Sequence, residues 1–152
     1  MIEIFVDGDA CPVKDETYVV SSRYGLPVTV VANQRMFVPH DLGVELVVVE
    51  QGPDVADDWI ADNVRQGDIV ITADIPLAAR CLAVGAFALG TNGREFTEDS
   101  IGGQLATRDL KAELREAGTM SGGPPPLGGK DRSRFSSKLD DLVVRSLRSN
   151  GG

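Results

Sequence analysis

The chain is poor in the side chains that build disulfide frameworks and zinc sites. Its 152 residues include two cysteines, Cys11 and Cys81, and one histidine, His40. Two cysteines are too few for a disulfide scaffold, so we expect reduced thiols and a cytoplasmic protein. A zinc site is disfavoured as well, because it needs three or four such ligands close together.

Long apolar runs are missing too. No apolar segment approaches the roughly 18 residues of a membrane-spanning helix. The N-terminus carries Glu3 and no basic segment, which does not fit a signal peptide. The length fits one domain, and we expect residues 1–150 to form it.

Positive charge is scarce in the first two thirds of the chain. Residues 1–107 hold 6 lysines and arginines against 17 aspartates and glutamates, a net charge of −11. Residues 108–152 hold 9 basic and 6 acidic residues, a net charge of +3. The acidic part argues against a general nucleic-acid binder and suits a metal site. The basic part can still meet an anionic partner.

Short apolar segments alternate with segments of helical pattern. Strands are predicted at 2–6, 26–32, 44–50, 68–72 and 86–90, and helices at 11–25, 54–67 and 75–85. Strands that are apolar on both faces and alternate with helices form a parallel α/β sheet. Right-handed crossovers then place helices on both faces, so we expect five strands in the order 3-2-1-4-5.

The pattern changes after residue 100. We expect a helix over 102–118, a loop rich in glycine and proline over 118–134, and an amphipathic helix over 135–149. The loop is not a phosphate-binding loop, because its glycine spacing is one residue too long and its prolines remove N–H donors. It is a candidate lid or substrate-contacting loop.

Carboxylates follow two strands that the predicted order makes neighbours. Asp7 and Asp9 follow strand 1, and Thr72 and Asp74 follow strand 4. Asp57 lies in the first turn of the helix that precedes strand 4. Since ligands bind at the carboxyl ends of such strands, we predict that the four aspartates hold Mg²⁺ or Mn²⁺. Such a site can activate water for displacement at a phosphodiester.

Simpler roles compete for some of these side chains. Asp9 can equally cap the following helix, and capping or solvation accounts for Asp54 and Asp62. Asp58 can be a solvated neighbour of Asp57. Cys11 lies near a helix N-terminus, where a thiolate is stabilised. No arginine follows it in “PVKDET” to bind phosphate, so we expect burial as a small apolar side chain. His40 is expected to be a solvated loop residue.

Five motifs, in this order, resemble the YaiI/YqxD family of uncharacterised bacterial proteins. They are “VDGDACPVK” (6–14), “VANQ” (31–34), “VADDWI” (55–60), “GDIVITADIPLAA” (67–79) and “DRSRFSSKLD” (131–140). The resemblance covers nearly the whole chain but implies no established activity. It implies a domain similar to the PIN-like nuclease fold, a parallel α/β sheet with a cluster of acidic metal ligands.

The PIN pattern, carried over residue by residue, matches Asp7, Asp57 and Asp74. Asp57 begins a “DxxI” sequence, and Asp74 ends “TxD”. The resemblance therefore implies that these three aspartates are catalytic, with Asp9 supporting them. PIN nucleases carry one more acidic position, for which Glu50 is a weak candidate.

A metal-dependent nuclease acting on RNA is the function we predict first. The candidates for binding the phosphate backbone are Arg80, Arg94, Lys130 and Arg132. The family tends to carry “PRG” where this chain has “TNG” (91–93), and Arg94 follows the glycine instead.

Two other functions stay open. Phosphatases of the haloacid-dehalogenase type also begin with a strand and DxD, with Asp7 as nucleophile, Asp9 as acid/base and Thr72 as the hydroxyl motif. Their later acidic pair matches poorly, because Asp140 and Asp141 fall inside a predicted helix. The other alternative is a non-catalytic PIN-like module that binds nucleic acid or protein.

Overall fold

The computed structural model describes residues 2–8, 11–52, 54–101 and 129–149. The strand Ile4–Asp7 lies at the centre of its sheet. The strands are β1 (Ile4–Asp7), β2 (Val28–Ala32), β3 (Val44–Val48), β4 (Ile69–Ile71), β5 (Phe87–Leu89) and β6 (Glu95–Phe96). They form one sheet in the order β3-β2-β1-β4-β5-β6. The first five are parallel, which confirms the predicted order 3-2-1-4-5. The additional β6 pairs antiparallel with β5 and is too short for a periodic pattern to predict.

Helices cover both faces of the sheet, as predicted. They are α1 (Lys14–Tyr24), α2 (Val55–Asn63), α3 (Ile75–Ala83) and α4 (Gly129–Ser149), with a short 3-10 helix, His40–Leu42, before β3. Residues 98–101 are also helical. No helix within the described ranges is long and apolar enough to cross a membrane.

The side chains of β1 alternate between the two faces of the sheet, so this one strand contributes to the hydrophobic core on both sides. Ile4 and Val6 are completely buried in the layer that α1 and α4 cover. Phe5 points to the opposite face, where it packs with Trp59 of α2 and Leu77 of α3. Both faces of the strand are therefore apolar, which is why the sequence reads as an unbroken hydrophobic run.

The helix predicted over 54–67 ends earlier, at Asn63. Val64 follows it with an extended backbone (φ −68°, ψ 145°) and is buried in the layer of α2 and α3. Gly67, the predicted stop, instead has φ 88° in the turn that leads to β4. The prediction of the end was wrong, because the backbone leaves the helical conformation at Val64.

The last helix begins at Gly129, so the prediction that residues 129–134 belong to a loop was wrong. Asp131 lies in its first turn, where a negative charge is favourable, and Arg132 forms an ion pair with Glu16 of α1. Tertiary contact therefore extends the helix beyond what the nearby glycines and prolines suggest. The predicted helix over 102–118 and the loop residues 118–128 lie outside the described residues.

One face of α4 packs completely against the α1 layer. Its fully buried apolar side chains are Phe135, Leu139, Leu142 and Val143. Their spacing of four, three and one residues is that of a single helical stripe. This contact fixes α4 on the sheet. It also places the first turns of α4, which contain several basic residues, against the rest of the fold.

We expect Phe135→Ala to lower the free energy of unfolding by about 3–5 kcal/mol, because it removes a fully buried aromatic ring and leaves a cavity. The control is Arg148→Ala, since Arg148 is exposed on the same helix. Urea denaturation followed by circular dichroism measures both. Equal midpoints for the two variants would show that α4 does not contribute to the core.

Candidate functional site

Asp7 and Thr72 meet at the carboxyl ends of two adjacent strands. Asp7 ends β1, and Thr72 directly follows β4. The Thr72 hydroxyl donates to Asp7 Oδ2 at 3.0 Å, and Thr72 is only 1% exposed. The parallel pairing of β1 with β4 delivers both side chains to this edge. Their contact joins two segments 65 residues apart in the sequence.

Asp74 extends this hydrogen-bonded chain. Its backbone N–H donates to Thr72 Oγ1 at 3.0 Å, so the one hydroxyl links both aspartates. Asp74 is also the N-cap of α3, because its Oδ1 accepts the N–H of Leu77 at 2.8 Å. Capping uses one carboxylate oxygen and holds the group at the start of α3. Asp74 thus has a structural role that the metal-site prediction did not include.

Asp57 reaches the same edge from α2. Its pKa is raised to about 6, first by burial and then by the negative charges of Asp74 and Asp7. Asp54 and Asp58 contribute smaller effects of the same sign. The first turn of α2 and the ends of β1 and β4 therefore crowd like charges together, as the predicted strand order requires.

The donor chemistry of this edge suits a hard divalent cation, but its geometry is not a ready-made cage. Carboxylate oxygens are the ligands that Mg²⁺ and Mn²⁺ prefer, and the crowding raises the pKa of Asp57. Within the described ranges, no three histidine, cysteine, aspartate or glutamate side chains are grouped closely enough to hold a metal ion. Mg²⁺ commonly keeps several waters and takes one or two carboxylates, so direct ligation by three is not required.

Asp54 is the acidic residue that the sequence interpretation undervalued. It occupies the N-cap position of α2 with φ 66°, yet its side chain makes no capping hydrogen bond. Its charge acts on Asp57, whereas Glu50 is not among the described groups that raise the pKa of Asp57. An aspartate before a helix normally predicts a cap, which hid this role. Asp9 lies outside the described residues.

Two of the four predicted phosphate-binding cations are in ion pairs. Arg80 Nη1 lies 2.7 Å from Asp58 Oδ1, between α3 and α2. Arg132 Nη1 lies 2.8 Å from Glu16 Oε1 and also donates to the carbonyl of Pro12 at 2.9 Å. Each pair joins side chains of two neighbouring helices, so part of each positive charge is already compensated.

Arg94 and Lys130 are both exposed and form no ion pair within the described residues. Arg94 belongs to the turn after β5, at the same edge as Asp7, and its carbonyl accepts the N–H of Gly90 at 2.8 Å. Gly93 in this turn has φ 87°, and a Cβ there would lie 2.9 Å from the backbone N of Phe135. The turn is therefore seated against α4 near its basic first turns.

Cys11 is buried and His40 is exposed, as the sequence favours. The Cys11 thiol is buried, and burial is the main cause that raises its pKa, so the prediction of a packing residue is confirmed. Lys14 lowers that pKa and Asp7 raises it. His40 is exposed and lines a cavity of about 530 Å³ at the amino ends of the strands, opposite the aspartates.

Comparisons with known proteins agree on one family. A family model described as the uncharacterised YaiI/YqxD family matches residues 5–145. The UPF0178 protein amb2838 of Paramagnetospirillum magneticum is 55% identical over 148 residues, covering 97% of this chain and 98% of its own. UPF0178 proteins of Azorhizobium caulinodans (53%; 97% and 93% covered) and Parvibaculum lavamentivorans (57%; 94% of each) are similar over their length.

We expect Asp57→Asn to stabilise the fold at alkaline pH. The folded-state pKa of about 6 lies above the ordinary value of 3.8, so the native state binds more protons between these values and stability falls as pH rises through 6. Above pH 6 the variant should melt at a higher temperature, because it lacks the charge that Asp74 and Asp7 repel. The increase should be only about 1–3 °C, since that charge is partly solvated. The difference should vanish below about pH 4.

Thermal melting across pH checks this, with Asp62→Asn as control because Asp62 is exposed on the same helix. A pH profile of the Asp57 variant that matches the wild-type profile would show that the carboxylates are not crowded.

Proposed function

Because the chain belongs to the YaiI/YqxD family, whose description supplies no activity, we propose a function from its own residues. We propose that it is a nuclease that depends on Mg²⁺ or Mn²⁺ and cleaves RNA through Asp7, Asp57 and Asp74. The choice of RNA and of a PIN-like ancestry rests on the resemblance of the “DxxI” and “TxD” sequences to PIN-like nucleases.

The observation that carries the proposal is the electrostatic crowding of three carboxylates from three different elements. Burial and the charges of Asp74 and Asp7 together raise the pKa of Asp57 to about 6. Like charges held together destabilise a fold, and strongly shifted pKa values concentrate at functional sites. The hydrogen bonds through Thr72 keep Asp7 and Asp74 in place despite this cost.

Each residue has a distinct part in the proposed reaction. Asp7 is held by the Thr72 hydroxyl, and Asp74 by the start of α3, so both carboxylates would already be fixed when a cation binds. A divalent ion bound there would activate water and neutralise charge on the phosphodiester. Asp57, whose carboxylate feels the charges of Asp74 and Asp7, would accept a proton from the attacking water.

The surrounding cations provide a path for the substrate backbone. Arg94 is exposed on the turn after β5, and Lys130 is exposed in the first turn of α4, whose following turn lies against Gly93 of the β5 turn. Residues 108–152, which contain α4, also carry a net charge of +3. An anionic strand that crosses the aspartates would meet these side chains first.

We expect Asp7→Asn and Asp74→Asn to lower RNA cleavage by about 100-fold or more, the loss usual for one electrostatic catalytic group. Asparagine is the sharp substitution, because it removes the charge but keeps the oxygen that accepts from Thr72 or Leu77. Cleavage of labelled single-stranded RNA is measured with Mg²⁺, Mn²⁺ or EDTA.

The matched control is Asp41→Asn, since Asp41 is exposed in the 3-10 helix before β3. It should cleave like the wild type. Equal cleavage by every variant, with and without EDTA, would identify a contaminant and refute the proposal.

A metal titration tests the cation separately. Mn²⁺ or Mg²⁺ should raise the melting temperature of the wild type with a saturating dependence on concentration, because it binds the folded state. Asp7→Asn should show little of this increase. An equal increase in both proteins would mean that the cation binds elsewhere.

A phosphomonoesterase is a second candidate, favoured by the Thr72 hydroxyl at 3.0 Å from Asp7 Oδ2. In that reaction an Asp7 oxygen would attack phosphorus and form an aspartyl phosphate while the ester P–O bond breaks and the alcohol leaves, and water would then hydrolyse the intermediate to phosphate and the free carboxylate. Asp140 and Asp141 do not supply the second acidic pair, because they contact Tyr24 of α1 and Arg145 of α4. Hydrolysis of p-nitrophenyl phosphate without RNA cleavage would select this candidate. Metal and RNA binding without turnover would select a non-catalytic module.

A further inference from the structure

Lys14, the last residue of the “VDGDACPVK” motif, has no part in the reaction described so far. It is the first residue of α1, so it lies at the edge of the sheet where β1 ends with Asp7. Its side chain is partly buried and folds back toward the strand end, where Nζ donates to the carbonyl of Cys11 at 3.1 Å. The ammonium is thus held beside the loop that joins Asp7 to the helix.

A second cation contacts the next carbonyl of the same turn. Arg132 of α4 donates to the carbonyl of Pro12 at 2.9 Å while it pairs with Glu16. Two positive side chains from two helices therefore surround the turn at Cys11 and Pro12.

The two cations differ in what compensates their charge. Arg132 is neutralised by Glu16, whose side chain is 16% exposed. Lys14 forms no salt bridge with a carboxylate within the described ranges, and its recorded partner is a neutral carbonyl. Its flexible stem lets the ammonium turn outward, whereas the guanidinium of Arg132 is fixed.

We propose that Lys14 binds a backbone phosphate of the RNA strand, next to the phosphodiester that lies over Asp7, Asp57 and Asp74. Arg132 holds the turn at Cys11 and Pro12, which precedes Lys14. The inference rests on the proposed function. Residues 1–107 carry a net charge of −11, which repels a polyanion. A cation on the α1 side of the acidic crevice offsets that repulsion locally and attracts the RNA strand.

The test measures RNA binding apart from cleavage. A fluorescein-labelled single-stranded RNA is titrated with the full chain in EDTA, by fluorescence anisotropy, over a series of salt concentrations. We expect Lys14→Met to weaken binding about three- to tenfold at low salt and to reduce the salt dependence by about one counterion. Lys14→Arg should retain most of the affinity.

The matched control is Lys138→Met, because Lys138 is also partly buried but pairs with Glu95 at 3.4 Å. It should bind RNA like the wild type. A structural role for Lys14 predicts a lower melting temperature with an unchanged salt slope, and that result would overturn the inference. Unchanged affinity in Lys14→Met, or no RNA binding by the wild type, would overturn it as well.

The outcomes also separate this inference from the proposed function. RNA cleavage by the wild type with unaltered binding by Lys14→Met would leave the nuclease standing without this phosphate contact. Binding with a salt slope that depends on Lys14, but without cleavage in Mg²⁺ or Mn²⁺, would keep the phosphate contact and refute the nuclease.

Discussion

The parallel pairing of β1 with β4 is the constraint on which the candidate site depends. Its register places Val6 opposite Ile71, and one residue further along Thr72 donates its hydroxyl to Asp7. A shift by one residue would turn Asp7 toward the other face of the sheet. The apolar side chains of both strands, buried in two layers, prevent that shift. The core therefore determines the geometry of the carboxylates.

The same edge concentrates negative charge that the fold does not need for packing. Asp74 caps α3 and so has a structural benefit, but Asp57 has a pKa raised by burial and by its acidic neighbours. An uncharged side chain at this position would avoid the repulsion. A destabilising group in an otherwise consistent fold is the pattern that a binding or catalytic role explains.

The sequence predicts the strand order and the meeting of Asp7 with Asp57 and Asp74, because alternating apolar strands and helices leave few topologies. It does not predict the role of Asp74 as a cap for α3 or the early start of α4. The pair between Arg132 and Glu16 joins residues 116 apart, and no local pattern indicates such a partner. Long-range ion pairs and element ends depend on tertiary packing, which propensities do not describe.

The position of α4 turns the uneven charge of the sequence into a spatial arrangement. Phe135 packs beside Gly93, and Arg132 reaches the carbonyl of Pro12, so the first turns of α4 lie at the carboxyl edge of the sheet. Positive charge from the end of the chain is thereby brought near acidic charge from its beginning. An anionic strand gains from the basic side chains, and its repulsion by the aspartates becomes weaker when a cation neutralises them. On this arrangement, RNA affinity and metal affinity should each strengthen the other, because each relieves the repulsion that opposes its partner.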